Sequence, residues 1–405
     1  MYDAIVVGAR VAGSPTAMLL ARRGYKVLLA ERATFPSDVI SGLYIRLPGA
    51  ARLNRWGLLD RVAATGAPPI ERFTFDVGPF ALVGAAPPAE GVAASYMPRR
   101  RILDPILAGA AVEAGAELRT GFAVQELLWE GNRVVGIRGR SATGTSVTER
   151  ARVVIGADGP HSFVARSVQA PLYNVHPTLT CSYQSYWSGV AVDGIELYVR
   201  DGRFIVAGTT NEGLVQVTAV WPIAQFKTVR ADIEGSFLRT LDEHAPGLAE
   251  RVRAGRREER FYGMADFSNF FRTPFGPGWA LVGDAGYHKD PITAQGIADA
   301  LAGAELLAEA LDIGVSGRRP LDEALRGYQR RRDEAVAPMY DLTVQLATLA
   351  PPPPPLQDLL GALRGNQHEI DRFLGTTEGT VPIPEFFAPE NVGRIIAAGS
   401  PARAA

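Results

Sequence analysis

Gly8-Ala9-Arg10-Val11-Ala12-Gly13 lies between two apolar runs near the start of the chain, and Glu31 closes the second of them. This spacing suits the capture of a dinucleotide. Gly8 permits a sharp turn from strand to helix, and Gly13 lets helix and sheet pack closely. The helix that begins there offers free N–H groups to a pyrophosphate. Glu31, with Arg32 beside it, is placed to accept hydrogen bonds from ribose hydroxyls. One residue departs from the usual G-x-G-x-x-G pattern. Arg10 stands where the middle glycine lets a phosphate approach the backbone. Its side chain must turn away or bring its guanidinium to the phosphates.

The elements that hold these residues follow from the pattern around them. Tyr2 to Val7 is a buried strand, Ser14 to Arg23 a helix stopped by Gly24, and Lys26 to Ala30 a second buried strand. This is a βαβ unit. Further on, Arg99-Arg100-Arg101 precedes a helix over Ile102 to Ala114. Cations at a helix entrance oppose its dipole, so an anionic partner is expected there. Glu149 to Ile155 is a strand that runs straight into Gly156-Ala157-Asp158-Gly159 and a helix carrying Arg166. From Pro171 to Phe271 the chain is rich in aromatic and β-branched residues broken by Asp-Gly and Glu-Gly turns, which reads as an inserted antiparallel sheet. Tyr183, Tyr186, Trp187 and Gln216 on its strands are candidate substrate contacts. Alternation places Tyr183 with Trp187 and opposite Tyr186, so not all of them can line one pocket. Trp279 to Val282 is a buried strand that leads into Gly283-Asp284, and a long helix follows Gly296. Pro351 to Pro355 reads as a stiff polyproline spacer.

A chain of 405 residues calls for more than one domain. A net charge of −1 argues against a nucleic-acid surface. No apolar run is long enough to span a membrane, and the first strand begins at once, which leaves no room for a signal peptide. The single cysteine, Cys181, excludes an internal disulfide. A cytoplasmic location is expected. The five histidines are scattered without ligand spacing, so no metal is expected.

The Gly8–Gly13 turn with Glu31, the Gly156-Ala157-Asp158-Gly159 segment, Gly283-Asp284 through Gly296, and Arg100 stand in an order that resembles one family. It is that of the para-hydroxybenzoate hydroxylase-like flavoproteins, the single-component FAD-dependent monooxygenases. The resemblance covers roughly residues 1–320. It implies an α/β fold: a Rossmann-like FAD-binding domain with a parallel sheet over 1–170 and 275–320, and an inserted antiparallel-sheet substrate domain over 171–274. Residues 70–97 would contribute to the inserted domain, and 321–405 would form a C-terminal helical region. It also implies roles. Gly8, Ala9, Arg10, Val11, Ala12, Gly13, Glu31 and Arg32 would hold the ADP part of FAD. Arg100, in Arg-x-x-Leu-Asp, would approach the phosphates. Asp158-Gly159 would serve FAD and nicotinamide engagement. Gly283 and Asp284 would meet the ribityl chain, and Pro291, Ala294, Gln295, Gly296 and Ile297 the isoalloxazine and pyrophosphate.

The chain departs from the family around the isoalloxazine. Tyr287 stands where the family has a histidine, His288 follows it, and Asp290 replaces the first proline. Tyr287, His288 and Asp290 are the candidate proton-moving groups. The activity implied is a hydroxylation of a small to medium aromatic or polycyclic organic molecule by O₂. NADPH or NADH would be the transient donor, and FAD would be non-covalent because no Cys or His stands among Gly8–Gly13, Glu31, Arg100 and Asp284. No second dinucleotide fingerprint is present, so the nicotinamide has no dedicated domain; a separate flavin reductase is the alternative source of electrons. An isoprenoid double-bond reductase is the main alternative activity. A flavin-dependent halogenase would carry Trp-x-Trp-x-Ile-Pro, which is absent.

Overall fold

Parallel strands buried on both faces must be apolar throughout, and the first strands meet that demand. In the computed structural model, which describes residues 1–399, Tyr2–Val7 pairs parallel with Val27–Ala30, Ala4 opposite Val27 through Val7 opposite Ala30. The sheet order is Phe275–Gly276, Trp279–Leu281, Ser146–Gly156, Tyr2–Val7, Val27–Ala30, Glu117–Arg119. Ser146–Gly156 belongs to two pairings. Its apolar second half runs parallel to Tyr2–Val7, and its exposed first half pairs antiparallel with Arg133–Arg140, which pairs in turn with Ala123–Glu130. The helix Gly13–Ala21 is buried along its whole length and packs against Arg100–Glu113 and Gly296–Val315.

The second large sheet runs Arg256–Arg257, Thr180–Ser188, Val215–Pro222, Arg203–Thr209, Ile195–Arg200, Phe73–Asp76, Ala81–Gly84. All its pairings are antiparallel except that of Phe73–Asp76 with Ile195–Arg200. A hairpin from early in the chain therefore completes a sheet built late in it. Tyr262–Met264 adds a short strand beside Thr180–Ser188. One face of this sheet is covered by the helices Phe226–Ala231, Ile233–His244 and Pro246–Ala254 through Trp221, Phe237, Leu241 and Leu248. A separate three-stranded sheet joins Leu172–His176, Asn269–Arg272 and Tyr287–His288.

Two long helices, Gly296–Val315 and Leu321–Ala347, lead to four short ones ending at Gly399. The spacer expected at Pro351 to Pro355 is shorter than that: a helix already begins at Pro354, where the first turn needs no N–H from proline. Leu359, Leu360, Phe373 and Leu374 pack with Phe73, Met97 and Ile195 in one apolar cluster. The C-terminal helices thus close over the open face of the second sheet. The end of the region read as C-terminal helix, residues 400–405, lies outside the described residues. Among the described residues no helix is long and apolar enough to cross a membrane.

Candidate functional site

The turn after the first strand leaves no room for side chains. A Cβ at Gly13 would lie 1.7 Å from the Gly8 carbonyl oxygen, and one at Gly8, where φ is +102°, would lie 2.5 Å from that of Ala157. At Gly283 a Cβ would stand 2.6 Å from the Ala12 Cβ. Three segments far apart in sequence therefore meet at close contact. No side chain caps the helix at Ala12, and Gln295 leaves the second helix uncapped as well. Both helix starts keep free N–H groups, and Gly296 at the second is exposed with open space around it. Ala9 and Ala12 are buried, Val11 is half-buried, and Ile297 is buried under the second helix start.

Carboxylates surround this meeting point. Glu31 is 4% exposed; its oxygens accept the Ala9 N–H at 2.8 Å and the Ala33 N–H at 2.9 Å. Each oxygen keeps a lone pair for a hydroxyl donor. Arg32 is exposed. Asp284 sits half-buried in the single turn Gly283–Ala285 and accepts no hydrogen bond within the described residues. Asp158 differs. It accepts from the Ser162 hydroxyl at 2.5 Å and the N–H groups of Phe163 and Val164 at 2.7 and 3.2 Å, so its carboxylate is used to cap the helix Phe163–Ser167. Burial pushes its pKa up. Gly159, at φ +83°, continues the turn.

The question of Arg10 is answered by Asp104. Arg10 Nη1 donates to Asp104 Oδ2 at 2.6 Å, while Arg100 donates to the same carboxylate at 2.9 and 3.1 Å. Their remaining nitrogens reach Ser37 Oγ and Ser41 Oγ at 3.0 and 2.9 Å. Two guanidinium groups thus share one fully buried carboxylate. One positive charge is left over, which favours an anionic ligand.

Asp290 is the one of the three titratable candidates that lines the cavity between the second sheet and the 290–294 segment. It is 1% exposed. Its carboxylate accepts from Thr180 Oγ1 at 2.5 Å and from the Ile292 N–H at 3.0 Å, holding the turn Pro291–Thr293. Burial pushes its pKa up to about 6, against the hydrogen bonds and the nearby His288. Pro291 is exposed on that turn, and Ala294 lines the cavity at φ +50°, a conformation a non-glycine residue adopts at a cost of roughly 1 kcal/mol or more. Gln295 donates to the Thr377 carbonyl at 2.8 Å. Tyr287 lies instead in an aromatic cluster with Phe271 and Tyr340; its hydroxyl accepts from Lys289 at 2.6 Å, and burial pushes its pKa well above the ordinary range. His288 stacks on Phe270, and its Nδ1 pairs with the Ser268 carbonyl.

Residues 1–343 match the protein family described as FAD binding domain. The chain belongs to this family of para-hydroxybenzoate hydroxylase-like flavoproteins. It is 31% identical over 337 residues to digeranylgeranylglycerophospholipid reductase 2 of Methanothermobacter thermautotrophicus, covering 78% of this chain and 80% of that protein. It is 25% identical over 354 residues to tryptophan 2-halogenase of Chondromyces crocatus, covering 80% of this chain; the chain spans only 64% of that halogenase. Among solved structures, that of PqsL from Pseudomonas aeruginosa, described as a probable FAD-dependent monooxygenase, superposes with a TM-score of 0.72 at 22% identity, covering 86% of this chain and 96% of that one.

The residues present fit FAD. The steric cradle at Gly8, Gly13 and Gly283, the free carboxylate of Asp284 and the surplus charge at Arg10 and Arg100 are demands that a phosphate-bearing, hydroxyl-rich ligand meets. Two of the expected substrate contacts are corrected. Tyr183 and Trp187 lie on the helix-covered face of the sheet, Tyr183 against Trp221 at 6.3 Å and Trp187 stacked on Phe237 at 5.5 Å. Tyr186 is on the cavity side but buried, under the Arg99 guanidinium at 3.9 Å, and its hydroxyl accepts from Gln216 at 3.2 Å. Gln216 does line the cavity.

Several residues that shape the site of this flavoprotein carry no sequence signal. Lys289 is buried and bridges Tyr287 to Asp299 in the first turn of the second helix, 2.5 Å from the carboxylate. Arg46 is buried against Glu378 and donates to the Thr293 carbonyl at 2.5 Å, tying the cavity wall to the C-terminal helices. Arg99 was visible as part of an arginine run. Its pairing with Asp38 and Glu259, and its place over Tyr186, were not.

Proposed function

We propose that this flavoprotein is a monooxygenase that hydroxylates a small to medium aromatic or polycyclic organic compound, using NAD(P)H and O₂. The observation that carries the reading is the cavity beneath the 290–294 segment, with a buried carboxylic acid on its wall. FAD, when bound, supplies the redox chemistry. The chain does the rest. Gly8 to Gly13, Glu31, Arg10, Arg100 and Asp284 would hold the nucleotide and its ribityl chain. The two uncapped helix starts favour negative charge beside them. Asp290, with a pKa of about 6, can take or return a proton at its Oδ1 or Oδ2 near neutral pH. The sheet and the 290–294 segment wall the cavity, and shielding it from water would protect a reactive intermediate.

A second reading rests on the 31% identical reductase: reduction of an isoprenoid double bond in the same cavity. The halogenase relative supports a third, but no Trp-x-Trp-x-Ile-Pro segment is present. The purified yellow protein should oxidise NADPH or NADH faster with substrate, and isotope-labelled O₂ should appear in the product. Turnover at equal rate without O₂, with an unlabelled product, would replace hydroxylation by reduction.

A further inference from the structure

The floor of the cavity is divided strand by strand. Its rows can be read from the pairing registers. One row crosses the sheet as Gln184, Thr218, Val206, Leu197. The next runs Ser182, Val220, Phe204. A third runs Gln216, Gly208, Ile195, Phe73. In these rows the polar side chain comes from Thr180–Ser188 or Val215–Pro222 and apolar ones follow towards Phe73–Asp76, while on the other border Tyr262 stands opposite Gln184 and Met264 opposite Ser182. The cavity therefore has a hydrogen-bonding band with an oily side towards Phe73–Asp76, and Met264 at its other border.

Part of the polar side is unspent. Ser182, Gln184 and Thr218 are half-buried on the cavity wall, and their side chains make no hydrogen bond within the described residues. Asp290 stands at the same side, joined to Thr180. Among the described residues Arg46 is the one cation on the wall, and it is already paired with Glu378. A half-buried row of unsatisfied polar groups favours a ligand that satisfies them.

Building on the reading of this cavity as the substrate site, we infer that the substrate is an uncharged ring compound with at least two hydroxyl or carbonyl oxygens along one edge and a bare hydrocarbon opposite edge. The oxygens face Ser182, Gln184 and Thr218, and the hydrocarbon edge faces Val206, Leu197 and Phe204. A long unfunctionalised isoprenoid chain would leave the polar side unpaired. A carboxylated ring would meet Asp290 and find no free cation on the wall among the described residues.

The test is binding to the FAD-loaded full chain, read by flavin fluorescence without any electron donor. The probes are naphthalene, 1,3-dihydroxynaphthalene, 1-naphthoate and geranylgeraniol. The diol should bind roughly tenfold or more tighter than naphthalene, the scale of one to two net hydrogen bonds, and tighter than the naphthoate. Thr218→Val with Gln184→Leu should shrink that preference below about threefold while leaving naphthalene affinity in place. Equal binding of diol and hydrocarbon in the unaltered protein would overturn the inference without any variant. So would tighter binding of 1-naphthoate or geranylgeraniol, or a preference that survives both substitutions. Because no turnover is involved, these outcomes judge the substrate class, whereas the labelled-oxygen experiment judges hydroxylation.

Discussion

The parallel-sheet half and the antiparallel-sheet half of this molecule place their side chains by different rules. In the parallel half, backbone meets backbone. Gly8, Gly13 and Gly283 sit where a single Cβ would overlap a neighbour, so the site is defined by atoms that are missing. In the antiparallel half the site is defined by parity. Alternate residues of Thr180–Ser188 face either the cavity or the helix layer, and Thr180, Ser182 and Gln184 fall on the cavity side. A steric cradle tolerates almost no change, while one face of a sheet can vary if the other stays packed.

That difference orders the expected effects of substitution. Gly13→Val should be the most damaging. Its Cβ would need the turn at Gly8 to move, at a cost that exceeds about 5 kcal/mol and reaches the whole stability of an ordinary domain. No folded, flavin-loaded protein should be recovered; yellow protein with native circular dichroism would break the distinction between the halves.

Trp187→Ala comes next. It removes a ring stacked on Phe237 and should lower unfolding free energy by about 3–5 kcal/mol in a urea titration. Substrate affinity should hold, because the ring lies on the helix-covered face. A selective loss of affinity at unchanged stability would return Trp187 to the pocket.

Asp290→Asn probes the charge at the cavity wall. The carboxyl is pushed up to about 6 in the folded protein, from about 4 in an unfolded chain. The folded state therefore binds the proton more tightly. The contribution is fully present below about pH 4 and is lost as pH rises through about 6, by roughly 3 kcal/mol. The amide cannot ionise, so the variant should be more stable than its parent at pH 8 and nearly equal at pH 4. If Asp290 also moves the proton, turnover should fall and lose its inflection near pH 6. A parallel stability profile for both proteins would count against the buried acid.

The smallest effect is expected for Glu31→Gln. The backbone turn stays, but an ionised acceptor for hydroxyls is lost, at about 1–2 kcal/mol of FAD affinity by isothermal titration. Unchanged affinity would leave Glu31 as a brace for Ala9 and Ala33 alone.

The parallel-sheet half was legible because its demands are local. A glycine that must lack a Cβ, and an acid at the end of an apolar strand, announce themselves within about 30 residues. Asp158 shows the limit. Its place after a strand was visible, but its carboxylate is turned to Ser162, Phe163 and Val164. On the second sheet, alternation separated Tyr183 and Trp187 from Tyr186. It could not tell which face the helices Ile233–His244 and Pro246–Ala254 would cover.

The amino-acid sequence by itself determined the βαβ unit, the glycine cradle, the run of antiparallel strands and the aspartate after the last parallel strand. Each depends on neighbours along the chain and on the two side-chain periods. Only the tertiary structure decided that Arg10 and Arg100 would share Asp104, that Asp290 would be buried beside Thr180, and that Glu378 would reach back to Arg46. These pairs join segments that no local pattern connects. Their energies come from burial and charge, which exist only once the two sheets and the C-terminal helices have closed on one another.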